Sequence, residues 1–240
     1  EKGEYCHYIE GNEKINKAND LRVWLLDNYH ISNILNSSME IRDKIITENI
    51  PSARNFLLEI TNAIKTNSAV EFMYKKFGAE DSQEDKICGL PLCLKQYKQR
   101  WYVLFQKDTN ALRIYALDRI SKLVPIKLAT PIKKLKINTT SYWDNYYGIY
   151  THQDNAPNLV KLKVSPRYTK FLRSLPLHHS QKEVETNADY SIFTYKISVE
   201  RDFISEILSN GTDIEVLEPQ SLREEVTNTT KSMLGMYEGI

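Results

Sequence analysis

The sequence predicts an α+β protein with N-terminal helices, a small curved sheet or β-barrel in its middle and a mixed domain at its C-terminus. Three patterns lead to this fold class. Apolar residues recur at three- and four-residue steps over the first seventy positions, which is typical of amphipathic helices. From Ala69 they alternate in short runs, which is typical of strands. Beyond residue 158, helix-like and strand-like segments alternate along the chain.

Three helices are predicted ahead of the first strand, in a helical segment assigned to residues 1–68. They cover residues 17–29, 38–48 and 51–66. Asn33 and the polar cluster at 36–38 are typical of turns and caps, so they are interpreted as the break between the first two helices. Pro51 ends the second, because the residue before a proline is driven out of the helical region.

The middle segment, residues 69–137, is interpreted as a succession of short strands. Val70, Phe72 and Tyr74 share one face of the first strand, and a polar loop at 78–86 follows it. The other strands are placed at 87–97, 101–107, 111–116, 121–128 and 131–137. So many short strands in so few residues indicate a strongly curved sheet or barrel.

A linker is assigned to residues 138–158, and the remaining chain, 159–240, forms the C-terminal domain. Strands are predicted there at 159–165, 181–186, 190–199 and 212–217, and helices at 166–174, 200–209 and 219–235. Pro166 and Pro219 stand at first turns of helices, where a missing amide hydrogen is tolerated. The resulting β-α-β-β-α-β order is ferredoxin-like.

The near-neutral net charge of +1 conceals a strongly basic middle. Residues 61–136 carry 15 Lys and Arg against 7 Asp and Glu, whereas the segments on either side are net acidic. Such a distribution fits either a module that binds polyanions or a module whose positive face docks on its acidic neighbours. Composition leaves both alternatives open.

Several classes of protein are excluded or unsupported. No run approaches the roughly 18 apolar residues of a membrane helix, and the first residues cannot begin a secretory signal. The three cysteines lack metal-ligand spacing and fit a reducing compartment, so a cytoplasmic protein without membrane contacts is expected. Phosphate-binding glycine loops and nucleophile motifs are absent, so neither an enzyme nor a bound cofactor is expected.

Histidines give little support for a metal site. The adjacent His178 and His179 would make a poor chelate, because neighbours in a strand or loop point to different sides. They are instead expected at a contact between domains.

Two neighbouring strands carry the most suggestive polar residues. Alternation would place Arg100 beside Tyr102 on the first strand and Arg113 beside Tyr115 on the second, and all four side chains could converge on one surface. Guanidinium groups bind phosphate bidentately, and tyrosine adds a stacking face and a hydroxyl. The alternative is that Arg113 and Arg119 only form ion pairs on the sheet surface with Asp108 and Asp118.

These residues resemble the WYL-domain family. The resemblance is carried by Trp101-Tyr102-Val103, with valine in place of the leucine that gives the family its last letter, and by Arg113 and the run 116–120. Pro91-Leu92 resembles the family's second strand. Segments 174–181 and 213–223 resemble the extension that commonly follows the domain, so the likeness spans about residues 60–237.

The resemblance implies an Sm-like, SH3-type β-barrel with a ligand pocket in a prokaryotic transcriptional regulator. Carried over by position, the pocket residues are Tyr74, Arg100, Tyr102, Arg113 and Arg119. Family members read DNA through an N-terminal winged helix-turn-helix, but residues 1–60 here carry 7 basic against 10 acidic side chains and do not suit phosphate contacts. We expect a DNA-binding head domain that precedes Glu1 to be missing from this sequence, and the alternative is a free-standing sensor.

Two functions follow from these observations. The first is the effector-sensing part of a regulator, in which a nucleic acid or nucleotide-like anion binds the basic pocket and changes the geometry of an expected homodimer. The second is a protein–protein docking or oligomerisation module with no small ligand.

Overall fold

The computed structural model describes residues 21–46, 54–77, 84–127, 132–151 and 156–238. The chain divides into two compact units, residues 1–49 and 50–240. Parts of all three predicted N-terminal helices and most of the predicted polar loop lie outside the described residues.

In the described part of the first unit, one α-helix covers the position at which a break between two helices was expected. α1 (Leu21–Ser37) continues through Asn33, and the segment Met39–Lys44 is a short 3-10 helix. The predicted break at Asn33 is therefore wrong, because a single asparagine is only mildly unfavourable inside a helix. The helix ends instead at the serine pair, where the Ser37 hydroxyl donates to the carbonyl of Ile34 at 2.9 Å.

The second unit begins with α2 (Arg54–Thr66) and a five-stranded antiparallel sheet. Its strands are β1 (Ala69–Tyr74), β2 (Asp85–Tyr97), β3 (Arg100–Lys107), β4 (Leu112–Ala116) and β5 (Ile120–Ile126). They lie in the order β4-β3-β2-β1-β5. No pairing joins the edge strands β4 and β5 in the part of the chain that the structure describes, so a closed barrel is not confirmed.

Both faces of this sheet are covered by apolar side chains. On one face α2 packs Ile60 and Ala63 against a core that includes Phe72, Val103 and Phe105. The opposite face holds a second cluster made of Ala69, Leu90, Leu92 and Leu104. Because β3 is buried on both sides, it has a run of buried residues from Tyr102 to Gln106 rather than simple alternation.

The strand predicted at 131–137 is not formed by the described residues of that segment, which begin at 132. A buried side chain holds this segment instead of a neighbouring strand. The Gln106 amide donates to the carbonyl of Lys133 at 2.9 Å, and its oxygen accepts from the N–H of Leu135 at 2.9 Å. Ile132 and Ile137 then pack on the second apolar cluster, which explains the alternation seen in the sequence.

The rest of the unit follows the predicted β-α-β-β-α-β order. After a short helix in the predicted linker, α3 (Thr139–Trp143), come β6 (Asn158–Val164), α4 (Pro166–Ser174), β7 (Lys182–Thr186), β8 (Ser191–Ile197), α5 (Arg201–Ser209), β9 (Ile214–Glu218) and α6 (Gln220–Glu238). The four strands form an antiparallel sheet in the order β7-β8-β6-β9. The overall class is α+β, as predicted. Among the described helices, none is both long enough and apolar enough to cross a membrane.

Candidate ligand site of the first sheet

The pairing register decides which side chains of β3 and β4 share a face. Tyr102 is the partner of Ala116, and Phe105 is the partner of Arg113. The side chains of directly paired residues project from the same face of a sheet. The side chains of Arg113 and Tyr115 therefore project from the face opposite to that of Tyr102. The predicted convergence of all four side chains on one face is wrong, and Tyr115 packs in the apolar core under α2.

Arg113 nevertheless borders the same concavity as Tyr102, because β4 is an edge strand. Its side chain is exposed, and its Nη1 donates to the neighbouring carbonyl of Leu112 at 2.8 Å. The concavity has a volume of about 230 Å³. We call it the arginine pocket; its lining residues are Tyr102, Leu112, Arg113, Ile114, Ala116, Arg119, Ile149, Tyr150 and Thr151.

Arg119 lies between two aromatic rings rather than beside a carboxylate. Its guanidinium carbon is 3.9 Å from the ring centre of Phe77 and 4.9 Å from that of Tyr74. Its Nε is buried and has no hydrogen-bond partner among the described residues. The cation is therefore held in place by stacking, while part of its hydrogen-bonding capacity is unused.

Tyr74 supports this arrangement from within the core. It is buried, and its hydroxyl oxygen accepts from the backbone N–H of Ala116 at 3.3 Å. Burial is the main cause that raises the pKa of Tyr74, and this hydrogen bond acts in the opposite direction. Tyr74 thus positions Arg119 and ties β1 to the end of β4.

Arg100 is the predicted site residue whose charge is already partnered. Its Nη1 lies 3.5 Å from the Oδ2 of Asp118, whose side chain is only 10% exposed. Asp118 thus pairs with Arg100, whereas the sequence-based alternative names Arg113 and Arg119 as the partners of the acids. Arg100 therefore contributes less free positive charge than Arg113 and Arg119.

Arg119 also borders a second recess, which is separate from the arginine pocket. It has a volume of about 470 Å³ and is called the Phe77 recess here; its lining residues are Lys75, Lys76, Phe77, Glu84, Asp118, Arg119, Ile120 and Ser121. Arg119 borders both this recess and the arginine pocket. Within the described residues, no group of three or more His, Cys, Asp and Glu side chains is arranged to hold a metal ion.

Two domain families match the chain in sequence. The WYL domain matches residues 55–125, and the WCX domain matches residues 156–234. The chain therefore contains a WYL domain followed by a WCX domain. The WYL match covers α2 and the five-stranded sheet, and the WCX match covers the four-stranded sheet with its helices.

Solved structures with a similar chain path include a CRISPR Cas-related protein and the proteasome accessory factor B/C (PafBC) of Arthrobacter aurescens. The first is 16% identical with a TM-score of 0.48, over 78% of this chain and 53% of that one. The second is 16% identical with a TM-score of 0.32, over 80% of this chain and 28% of that one. The present chain thus spans about half of the first protein and less than a third of the second. No curated protein matches the chain significantly in sequence.

One wall of the arginine pocket comes from the segment between the WYL and WCX domains. The carboxylate of Asp202, in the first turn of α5, accepts from the N–H groups of Ile149 and Tyr150 at 2.6 and 2.9 Å. Gly148 approaches Asp202 so closely that a Cβ at this position would overlap the carboxylate. The wall is thereby fixed to the WCX domain, a feature that sequence reasoning missed because 52 positions separate Asp202 from Tyr150.

Lys95 holds the same segment from the WYL side. Its Nζ donates to the carbonyl of Gly148 at 2.7 Å and lies 4.2 Å from the ring centre of Trp143. Burial lowers the pKa of Lys95 to about 8, while the negative charge of Asp202 opposes the shift. The segment at Gly148 is therefore held by one WYL and one WCX side chain.

The two histidines contribute to the same region. His179 makes a 3.0 Å hydrogen bond to the carbonyl of Asp144, which lies between the two domain matches. His178 is 8% exposed, and its Nδ1 is 2.8 Å from the hydroxyl of Ser180. Burial, with a further effect of His179 and Lys95, lowers the pKa of His178 to about 4.

The low pKa of His178 predicts that the protein loses stability in mild acid. An unfolded chain would bind a proton near the ordinary pKa of 6.5, whereas the folded chain binds it near 4. The contribution of His178 to the free energy of unfolding is therefore fully present above pH 6.5 and is lost as the pH falls toward 4. The free energy of unfolding should fall by about 2 kcal/mol between pH 8 and pH 5. Chemical denaturation at these two pH values should detect the loss. His178→Gln should reduce the difference, and an unchanged difference would contradict this assignment.

Proposed function

We propose that this WYL–WCX pair is the effector-sensing part of a transcriptional regulator, and that its effector is a nucleic acid or a nucleotide-like anion. The proposed role is binding, with no catalytic step. The observation that carries it is the state of Arg119, which is stacked between Tyr74 and Phe77 and has no carboxylate partner among the described residues. A guanidinium held in this way is ready for a phosphate or another planar anion.

Neighbouring groups add to this preference. Arg113 is exposed at the rim of the arginine pocket, and its one hydrogen bond to the described residues is to a backbone carbonyl, with no carboxylate partner among them. Burial raises the pKa of Tyr102, with the nearby Arg100 acting against the shift. Its phenol therefore stays protonated at neutral pH and can donate to an anionic oxygen. Arg113, Arg119 and Tyr102 are the proposed ligand contacts, with Tyr74 as support for Arg119.

The wall of the pocket offers a route from effector to oligomer geometry. Ile149, Tyr150 and Thr151 line the pocket, and Asp202 fixes the first two to helix α5 of the WCX domain. An anion that contacts this wall would favour one arrangement of the two domains, to the extent that it binds that arrangement more tightly. We propose that this bias sets the geometry of a homodimer.

Docking between proteins is a second candidate function, favoured by one observation. Lys98 of the WYL domain already forms a 3.6 Å ion pair with Glu206 of the WCX domain. If docking is the function, added salt should dissociate the oligomer, and nucleotides should leave the melting temperature unchanged.

The test of effector sensing is a titration with single-stranded DNA, RNA and cyclic nucleotides at one fixed salt concentration. Arg119→Ala and Arg113→Ala should each weaken binding by about tenfold or more, since each removes a charged hydrogen-bonding group. Lys182→Ala, an exposed cation on β7, is the control for loss of one charge and should change the Kd less than about twofold. Equal affinities for wild type and both arginine variants would contradict the proposal.

A further inference from the structure

The Phe77 recess contains groups that a site for phosphate alone does not require. Phosphate binding is served by cations, yet this recess also presents the carboxylates of Asp118 and Glu84 and an aromatic ring. A carboxylate repels phosphate and accepts N–H donors instead. The recess therefore suits an uncharged, planar and hydrogen-bonding part of a ligand.

Phe77 supplies a surface for stacking. Its side chain is 79% exposed, which is unusual for a large apolar ring, and Arg119 covers one of its faces at 3.9 Å. An exposed ring beside a guanidinium is the combination on which nucleic-acid bases stack in single-strand binding proteins. The energy of such stacking arises from the planar face and does not depend on a particular base.

Asp118 and Arg119 supply the selective contacts. Oδ2 of Asp118 faces Arg100, while its Oδ1 is buried and lacks any hydrogen-bond partner in the described part of the chain. The Nε of Arg119, the next residue in the chain, is a buried donor that also has no hydrogen-bond partner among the described residues. Unpaired buried polar atoms are costly, so both atoms gain from a ligand that brings an N–H group next to a carbonyl.

We propose that the Phe77 recess binds the base of a nucleotide effector and that it favours guanine. Guanine presents a carbonyl oxygen, suited to Nε of Arg119, beside two N–H donors, suited to a carboxylate. Adenine and cytosine present an amino group with no carbonyl oxygen next to it, and uracil presents one ring N–H beside its carbonyls but lacks the second donor. The phosphate then lies toward Arg113 in the arginine pocket, because Arg119 borders both spaces. This inference rests on the proposed anion site.

Calorimetric titrations should compare guanosine, adenosine, cytidine and uridine 5′-monophosphates with ribose 5-phosphate, which has the phosphate and sugar but no base. We expect guanosine monophosphate to bind at least tenfold more tightly than ribose 5-phosphate, and more tightly than the other nucleotides. Phe77→Ala removes the stacking surface for the base and one of the two rings that hold Arg119, so it should weaken guanosine monophosphate by about tenfold more than it weakens ribose 5-phosphate. Phe171→Ala, at a ring that is 61% exposed on α4, is the matched control and should change neither.

Asp118→Asn tests the selectivity, because it replaces a carboxylate oxygen by an amide group of the same shape. It should reduce the preference for guanosine over uridine monophosphate by about tenfold or more. Equal affinity of ribose 5-phosphate and guanosine monophosphate would overturn the base recess and leave the anion site standing. Equal affinity of the four nucleotides would overturn the preference for guanine. If no probe binds the wild-type protein, the anion site itself fails, and the base recess fails with it.

Discussion

Gly148→Ala is expected to lower the free energy of unfolding of the WYL–WCX unit by about 3 kcal/mol. A Cβ at this position would overlap the carboxylate of Asp202, so the carboxylate must move away. Its two hydrogen bonds to Ile149 and Tyr150 would then be lost, and both are hydrogen bonds to a charged group. Chemical denaturation should show the loss in stability, and effector affinity should fall with it because these residues form the pocket wall.

Gly235→Ala is the matched control for this substitution. A Cβ at Gly235, within helix α6, meets nothing within 4 Å, so alanine there should be neutral or stabilise by up to about 1 kcal/mol. In a double-mutant cycle with Asp202→Gly, the penalty of Gly148→Ala should shrink, since the clashing side chain is gone. Additive effects of the two substitutions would show that the Gly148–Asp202 contact does not account for the loss.

Elements with strong local signals were predicted closely, and those that depend on distant partners were not. α4 begins at Pro166 and ends at Ser174, as predicted, because proline suits the first turn and the Ser165 hydroxyl accepts from the N–H of Tyr168. The segment after β5 has the alternation of a strand, yet its hydrogen bonds go to a side chain from β3. Alternation identifies residues that are apolar on one side, but it does not reveal their hydrogen-bonding partner.

Sequence reasoning grouped the candidate site residues without their geometry, and their role in binding stays a prediction. Of the five, Tyr102, Arg113 and Arg119 border one concavity, whereas Tyr74 and Arg100 do not line it. Their faces could not be predicted, since a register shift of one residue moves every side chain of a strand to the other side. The register between β3 and β4 is set by the turn at residues 108–111, and no local pattern fixes it. The stacking of Arg119 on Phe77 and the wall at Ile149 depend on tertiary contacts.

Gln106→Leu is expected to destabilise the WYL domain by about 3 kcal/mol and to release the segment after β5. Gln106 is fully buried, and its amide satisfies the carbonyl of Lys133 and the N–H of Leu135. Leucine has a similar size but no polar atoms, so both backbone groups would lose their partners inside the fold, at a cost of about 1–3 kcal/mol each. Chemical denaturation should report the loss, and hydrogen exchange at Leu135 should accelerate.

The same replacement at Gln96, an exposed residue of β2, should change stability by less than about 0.5 kcal/mol. If both variants are equally stable, the segment is held by the packing of Ile132 and Ile137 rather than by the buried amide.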